Sequence, residues 1–182
     1  MRKTLAATAA LTAAVLTIGT AGPAAAATLT AKDPKDLSHG VDLRSVHVRN
    51  GERTVWVTTT HTDLVKDFRS GSGGAVFIDT DPDDAGPELV FVGGYFEGTD
   101  YQLLHTEGFG AGTWGEPVEG TYSMRVDYAK DQVRMTMSRA TLGNPDEVRV
   151  AARVAGFKRD GTETKADWLG KPRSFTKWVE RG

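Results

Sequence analysis

Tyr122-Ser123-Met124-Arg125-Val126-Asp127-Tyr128 alternates apolar and polar residues without a break. After Ala129-Lys130-Asp131 the alternation resumes, with Val133, Met135 and Met137 set against Arg134, Thr136 and Ser138. Side chains on a strand point to opposite faces in turn, so this period of two predicts two half-buried strands, each with one wet face. The short polar break between them predicts a hairpin. The pattern recurs at Val148, Val150, Ala152 and Val154, which alternate with Arg149, Ala151, Arg153 and Ala155.

Moving outward, Val41 to Arg49 and Arg53 to His61 flank Asn50-Gly51, a dipeptide suited to the positive φ angles of a tight hairpin turn. The first of these strands slips phase: Val41 and Leu43 fall on one face, Val46 and Val48 on the other. A bulge near Ser45 reconciles the two. Ala75 to Ile78 and Leu89 to Val92 are continuous apolar runs, as in strands covered on both faces. Tyr101 to His105 reads as a weaker strand, Arg139 to Gly143 as a turn or single helical turn, and Ser70 to Gly74 as a flexible loop. Trp168-Leu169 and Phe175 to Val179 read as an edge or closing segment. No segment longer than two turns carries a helical period. Short strands separated by Gly, Asp and Pro predict an all-β fold, an antiparallel β-sandwich of immunoglobulin or jelly-roll type.

The chain has 182 residues, with 22 Lys and Arg against 24 Asp and Glu, a net charge of -2 and no cysteine. Without a basic excess, nucleic acid is not an expected partner. Without cysteine there are no disulfides, thiol nucleophiles or Cys-zinc sites. Arg2 and Lys3, an uncharged run from Leu5 to Ile18, and the small residues Ala24 to Ala27 follow the order of a secretory signal peptide. Residues 1–27 are therefore expected to be a leader and 28–182 a single β-sandwich domain, with cleavage after Ala26 or Ala27 fitting equally well. The expected product is secreted and extracellular, with no membrane anchor after cleavage and a net charge of -4 once Arg2 and Lys3 are lost. Ile occurs only at 18 and 78 and Asn only at 50 and 144, a skew expected of a GC-rich bacterial genome.

The densest chemical motif is Asp79-Thr80-Asp81-Pro82-Asp83-Asp84-Ala85-Gly86-Pro87-Glu88. Carboxylates crowded in a turn suit a hard cation such as Ca²⁺, which takes about six to eight oxygens. Asp79, Asp81, Asp83, Asp84 and Glu88 are the candidate metal ligands. The loop is not an EF-hand, because Asp84 stands where the sharp-turn Gly belongs and Val90 where the bidentate Glu belongs. The same residues also read as a solvated acidic connection in which Asp and Pro set turns. Asp33, Asp36 and Asp42, ahead of and inside the first strand, form a second acidic set, read either as meeting the first cluster in space or as turn formers and strand-face charges. Gly110 to Gly115 matches G-x-G-x-x-G, but Glu116-Pro117 and a strand follow where a helix is required, so a dinucleotide site is rejected. Trp114 in that loop is a candidate stacking platform for a sugar, or else a plug for the end of the sandwich. The four histidines form no H-E-x-x-H or H-x-H pair, and G-x-S-x-G does not occur.

Asp33-Pro34-x-Asp36, Val41-Asp42-Leu43-Arg44-x-Val46, Thr54-Val55-Trp56-Val57-Thr58 and Val76-Phe77-Ile78-Asp79-Thr80-Asp81 follow one another in an order that resembles a group of uncharacterised secreted bacterial β-proteins. Their layout is similar to that of CBM9-like and DOMON-type sandwiches. The resemblance implies an immunoglobulin-like antiparallel sandwich, and domains of that kind bind sugars, haem or calcium, or have no known ligand. The expectation is a secreted, non-catalytic protein that binds a ligand or extracellular surface, with carbohydrate as one candidate partner and Ca²⁺ as a stabilising ion. The alternatives are a structural envelope protein without a small-molecule site and a small secreted hydrolase built from scattered His and Asp residues.

Overall fold

A computed structural model describes residues 26–158 and 160–182. The strands are β1 (Ala27–Lys32), β2 (Leu43–Asn50), β3 (Thr54–His61), β4 (Gly73–Asp79), β5 (Leu89–Gly94), β6 (Tyr101–Thr106), β7 (Trp114–Pro117), β8 (Tyr122–Asp127), β9 (Gln132–Ser138), β10 (Glu147–Ala155), β11 (Asp167–Trp168) and β12 (Val179–Glu180). They form two sheets, ordered β1-β2-β3-β9-β8 and β11-β10-β4-β5-β6-β7, with β12 also on β10. Every pairing between these strands is antiparallel. The fold is the expected all-β sandwich. The leader reading falls, for residues 1–25, outside the described residues. Ala27 already pairs with Asn50, so cleavage after Ala26 leaves β1 whole.

The alternating patterns become cross-strand rows. Leu29, Val48, Val57, Met135 and Met124 lie side by side across all five strands of the first sheet. Ala152, Val76, Phe91 and Leu103 form the facing row on the second. The two rows share one core, where Val48, Val57, Met135, Phe91 and Leu103 are fully buried. Removing a large side chain of this kind from water contributes about 1.5–3 kcal/mol. Phe91, Tyr101 and Tyr122 close one seam between the sheets, with ring centroids 5.8–6.3 Å apart. The other seam is closed by polar side chains. Arg139 Nη1 donates to Asn50 Oδ1 at 2.8 Å, and Asn50 Nδ2 donates to Val179 O at 2.9 Å.

The continuous apolar runs are explained by a second, outer cluster. Ala151, Phe77, Val90 and Leu104 form a row on the back of the second sheet. Phe109, Trp114, Trp168 and Phe175 pack over it. Strands β4 and β5 are therefore apolar at successive positions because each of their faces meets a core.

Leu43 faces His61 while Ser45 faces Thr60, so Arg44 is the extra residue of the bulge expected near Ser45. Two expectations change. Gly73 and Gly74 open strand β4 instead of belonging to a loop. At Gly74 a Cβ would sit 2.3 Å from the Tyr95 hydroxyl, so the glycine permits close approach of a buried ring. Strand β1, with Thr28 and Thr30 alternating with Leu29 and Ala31, went unread because its apolar residues are small and few. Among the described residues no helix is long and apolar enough to cross a membrane.

Candidate metal centre and ligand groove

The acidic 79–88 loop does not converge its carboxylates. Asp79 ends β4, is fully buried, and accepts a hydrogen bond on Oδ2 from Arg149 Nε at 2.7 Å, with Nη2 of the same guanidinium paired to that oxygen at 2.6 Å. Burial raises its carboxyl above the ordinary value, and the Arg149 guanidinium limits the rise. Glu88 Oε2 accepts from the Thr80 N–H at 2.6 Å and its hydroxyl at 3.0 Å, spanning the mouth of the loop. Asp81 Oδ1 accepts from the Asp83 N–H at 2.9 Å, and Asp84 Oδ1 from the Ala85 N–H at 2.6 Å. These are the short-range bonds by which Asp builds turns.

Carboxylates do converge elsewhere. Among the described residues, one group brings oxygens of three acidic side chains within 4.8 Å of one another: Asp33, Asp36 and Asp167. Asp33 follows β1, and its N–H donates to Arg44 O at 2.9 Å, extending the β1–β2 pairing by one residue. Asp36 lies in the following loop, which Asp42 organises. Asp42 Oδ1 accepts the N–H groups of Asp36 (3.0 Å) and Leu37 (2.7 Å), and Oδ2 accepts the Thr62 hydroxyl (2.6 Å). Asp167 comes from β11, at the far end of the chain. Its Oδ2 accepts the N–H of Leu43 at 2.7 Å, beside the bulge, so it bridges the two sheets. Gly170 N–H returns to Asp33 Oδ1 at 2.5 Å.

The electrostatics of this corner are unfavourable as it stands. Asp33 and Asp167 are 6% and 5% exposed. Burial, with further contributions from the neighbouring Asp carboxylates, raises Asp33 above its ordinary value and pushes Asp167 up to about 6. Asp42 behaves oppositely: burial would raise it, but hydrogen bonds from Thr62, Leu37 and Asp36 and the charge of Arg44 hold it below the ordinary value. The Arg44 guanidinium reaches Asp42 at 3.5 Å. Among the described residues no ion pair reaches Asp33, Asp36 or Asp167. Asp33 Oδ2 is buried without a hydrogen-bond partner. A cavity of about 230 Å³, lined by Asp36, Lys165, Asp167 and Trp168, borders the group. These three carboxylates could hold a metal ion. The sequence singled out Asp33 and Asp36 as a second acidic set, whereas Asp167 went unnoticed because it stands alone, more than a hundred residues away.

Trp114 is part-buried and packs on the outer cluster, so it is not presented as a free platform. Among the described residues the exposed large apolar side chains lie elsewhere: Val65 (41% exposed), Phe68 (65%) and Phe157 (46%). Val65 and Phe157 line a groove of about 900 Å³ together with Ser38, His39, Asp67 and Lys158. Its floor is fixed. Phe157 N–H donates to Ser70 O at 2.6 Å, His39 Nε2 lies 3.1 Å from Phe157 O, and the Phe157 ring rests on Gly71, where φ is +52° and a Cβ would collide with it. This groove escaped the sequence reading because its residues come from three separate loops.

The histidines do not meet one another. His47 pairs its Nδ1 with the Thr30 hydroxyl at 2.8 Å on the outer face of the first sheet, while His61 is buried beneath. Among the described residues no hydrogen bond joins a histidine to a serine or a carboxylate. The glycine-rich 110–115 segment forms a 3-10 turn, Ala111–Thr113, running directly into β7. Comparison with protein-family models and with curated proteins gives no match.

Proposed function

We propose that this chain is an exported, non-catalytic β-sandwich module that binds an extracellular carbohydrate in the groove lined by loops 38–39 and 65–70 and by Phe157, Lys158 and Gly161, with Ca²⁺ as a structural ion. The observation that carries this reading is that two exposed large apolar side chains, Val65 and Phe157, line one groove rimmed by polar residues. Large apolar groups left in water and rimmed by polar ones are the usual mark of a binding surface. Flat apolar faces beside hydroxyl, imidazole, carboxylate and ammonium groups match a sugar ring, which offers C–H faces and equatorial hydroxyls. The leader-like start of the sequence supports export.

Screening on a glycan array followed by calorimetry tests the reading. Phe157→Ala is expected to weaken binding about tenfold, which corresponds to the loss of about 1.4 kcal/mol of contact. Trp114→Ala is expected to leave affinity unchanged and to lower stability by about 2 kcal/mol, because its ring covers the outer cluster. Sugar binding lost in Trp114→Ala and kept in Phe157→Ala moves the site to the glycine-rich loop. No binding across the array leaves a structural envelope protein as the better account.

A further inference from the structure

We propose that Asp33, Asp36 and Asp167 form a Ca²⁺ site that fastens the 33–42 loop to the C-terminal segment. Three carboxylate oxygens lie within 4.8 Å of one another. Oxygens on opposite sides of a bound Ca²⁺ stand about 5 Å apart, twice the 2.3–2.6 Å bond length, so the spacing accommodates the ion. The group does more than collect acids. Asp33 is 6% exposed, and its Oδ2 has no hydrogen-bond partner. A buried anionic oxygen left unpaired is costly, and a cation supplies the missing interaction.

The donors are all oxygen, which selects a hard cation over zinc or copper. They come from a loop and a two-residue strand distant in sequence, an irregular set that suits the flexible Ca²⁺ shell better than the rigid octahedron of Mg²⁺. The adjoining cavity of about 230 Å³ has room for the waters that complete the coordination. Asp42 is the positioning residue, because its carboxylate holds the N–H groups of Asp36 and Leu37 and so shapes the loop.

The inference rests on the proposed function only for the compartment, since an exported protein meets far more calcium than a cytoplasmic one. It also deepens that reading. The loop that carries Asp33 and Asp36 continues into Ser38 and His39 of the groove, so occupancy of the site conditions the grip on ligand.

Terbium luminescence provides a test that involves no carbohydrate. Tb³⁺ replaces Ca²⁺ at oxygen sites, and Trp168, which lines the same cavity, serves as its antenna. The metal-free protein is expected to give saturable emission on tryptophan excitation, displaced by Ca²⁺. Asp33→Asn and Asp36→Asn are expected to weaken binding at least tenfold, while the double variant Asp81→Asn/Asp83→Asn keeps it. Asp36 is exposed and its replacement leaves the fold intact, which circular dichroism in EDTA verifies. The wild type is expected to melt about 5 °C higher in millimolar Ca²⁺ than in EDTA, and Asp36→Asn to show no such gain.

Emission unchanged in both single variants overturns the site, as does emission lost only in Asp81→Asn/Asp83→Asn. So does the absence of emission and of any melting shift in millimolar Ca²⁺. Tighter binding of Zn²⁺ than of Ca²⁺ overturns the identity of the ion. Failure of the groove shows separately, as a Phe157→Ala variant that keeps its terbium signal on a protein that binds no glycan.

Discussion

Asp79→Ala is expected to lower the unfolding free energy by about 3 kcal/mol, and to do so equally in calcium and in EDTA. Asp79 and Arg149 are direct cross-strand neighbours on β4 and β10. The carboxylate is fully buried, while the arginine side chain keeps 27% of its exposure. The guanidinium lies over the rings of Phe175 and Trp178, at 4.7 and 4.4 Å from their centroids. It therefore joins β4 to the segment that covers the outer cluster. Removing the carboxylate leaves a cation that can still turn partly to water. Removing the arginine leaves an anion that cannot. Arg149→Met is consequently expected to cost more, about 4 kcal/mol, and the double variant Asp79→Leu/Arg149→Met less than the sum of its singles. Urea denaturation of the four proteins, each with calcium and with EDTA, gives the comparison. If Asp79→Ala instead abolished a calcium-dependent stabilisation and changed little in EDTA, the 79–88 loop would be the metal site after all.

The contrast between Asp79 and Asp167 shows how far sequence reaches in this protein. Sheet structure is written locally: a residue and its neighbour two positions on share a face, so Met124, Met135 and Val48 announce their burial without knowledge of their partners. Even the Arg44 bulge is visible as a phase slip between Leu43 and Val46. A metal centre is not local in this sense. Density of acid in one loop reports turn chemistry, which the Asp81 and Asp84 carboxylates carry out with neighbouring N–H groups. Convergence depends on where strands end after both sheets are assembled. Asp167 enters only because β11 lies along β10 and the Leu43 N–H faces it. Phe157 and Val65 likewise become a groove only when separate loops meet. Trp114 could not be placed from its glycine-rich setting, which fits both an exposed platform and a plug; in the fold the ring packs, partly buried, against the outer cluster.

His61→Gln is expected to remove one contribution to the pH dependence of stability, the histidine's own, which falls by about 3 kcal/mol between pH 6.5 and pH 4. His61 is buried on the inner side of β3, and burial lowers its pKa to about 4, although the Val41 carbonyl and the charges of Asp131 and Asp42 act in the opposite direction. Its Nδ1 lies 2.7 Å from Val41 O, which can only accept, so Nδ1 carries the proton and Nε2 accepts from the Thr59 hydroxyl at 2.7 Å. Both bonds suit the neutral ring, and the face of the imidazole packs against Tyr95 at 5.2 Å. The folded chain thus excludes a proton that the unfolded chain takes up below pH 6.5. Stability supplied by the neutral histidine is complete above that pH and is lost as the pH falls to about 4. Asp167 works against it over nearly the same range. With its carboxyl pushed up to about 6, the metal-free folded state holds a proton that the unfolded chain releases, so stability rises as the pH falls from 6 towards 4. In EDTA the two effects largely cancel, and the wild-type melting temperature should change little across this window. Gln at position 61 can donate to Val41 and accept from Thr59 without titrating. Subtracting the His61→Gln profile from that of the wild type removes Asp167, which is common to both, and isolates the histidine. The wild type should stay nearly level from pH 6.5 to pH 4 in EDTA, the variant should gain stability with acid, and the difference between the two profiles should amount to about 3 kcal/mol. Parallel profiles for the two proteins would show that His61 titrates in the folded chain as it does in water.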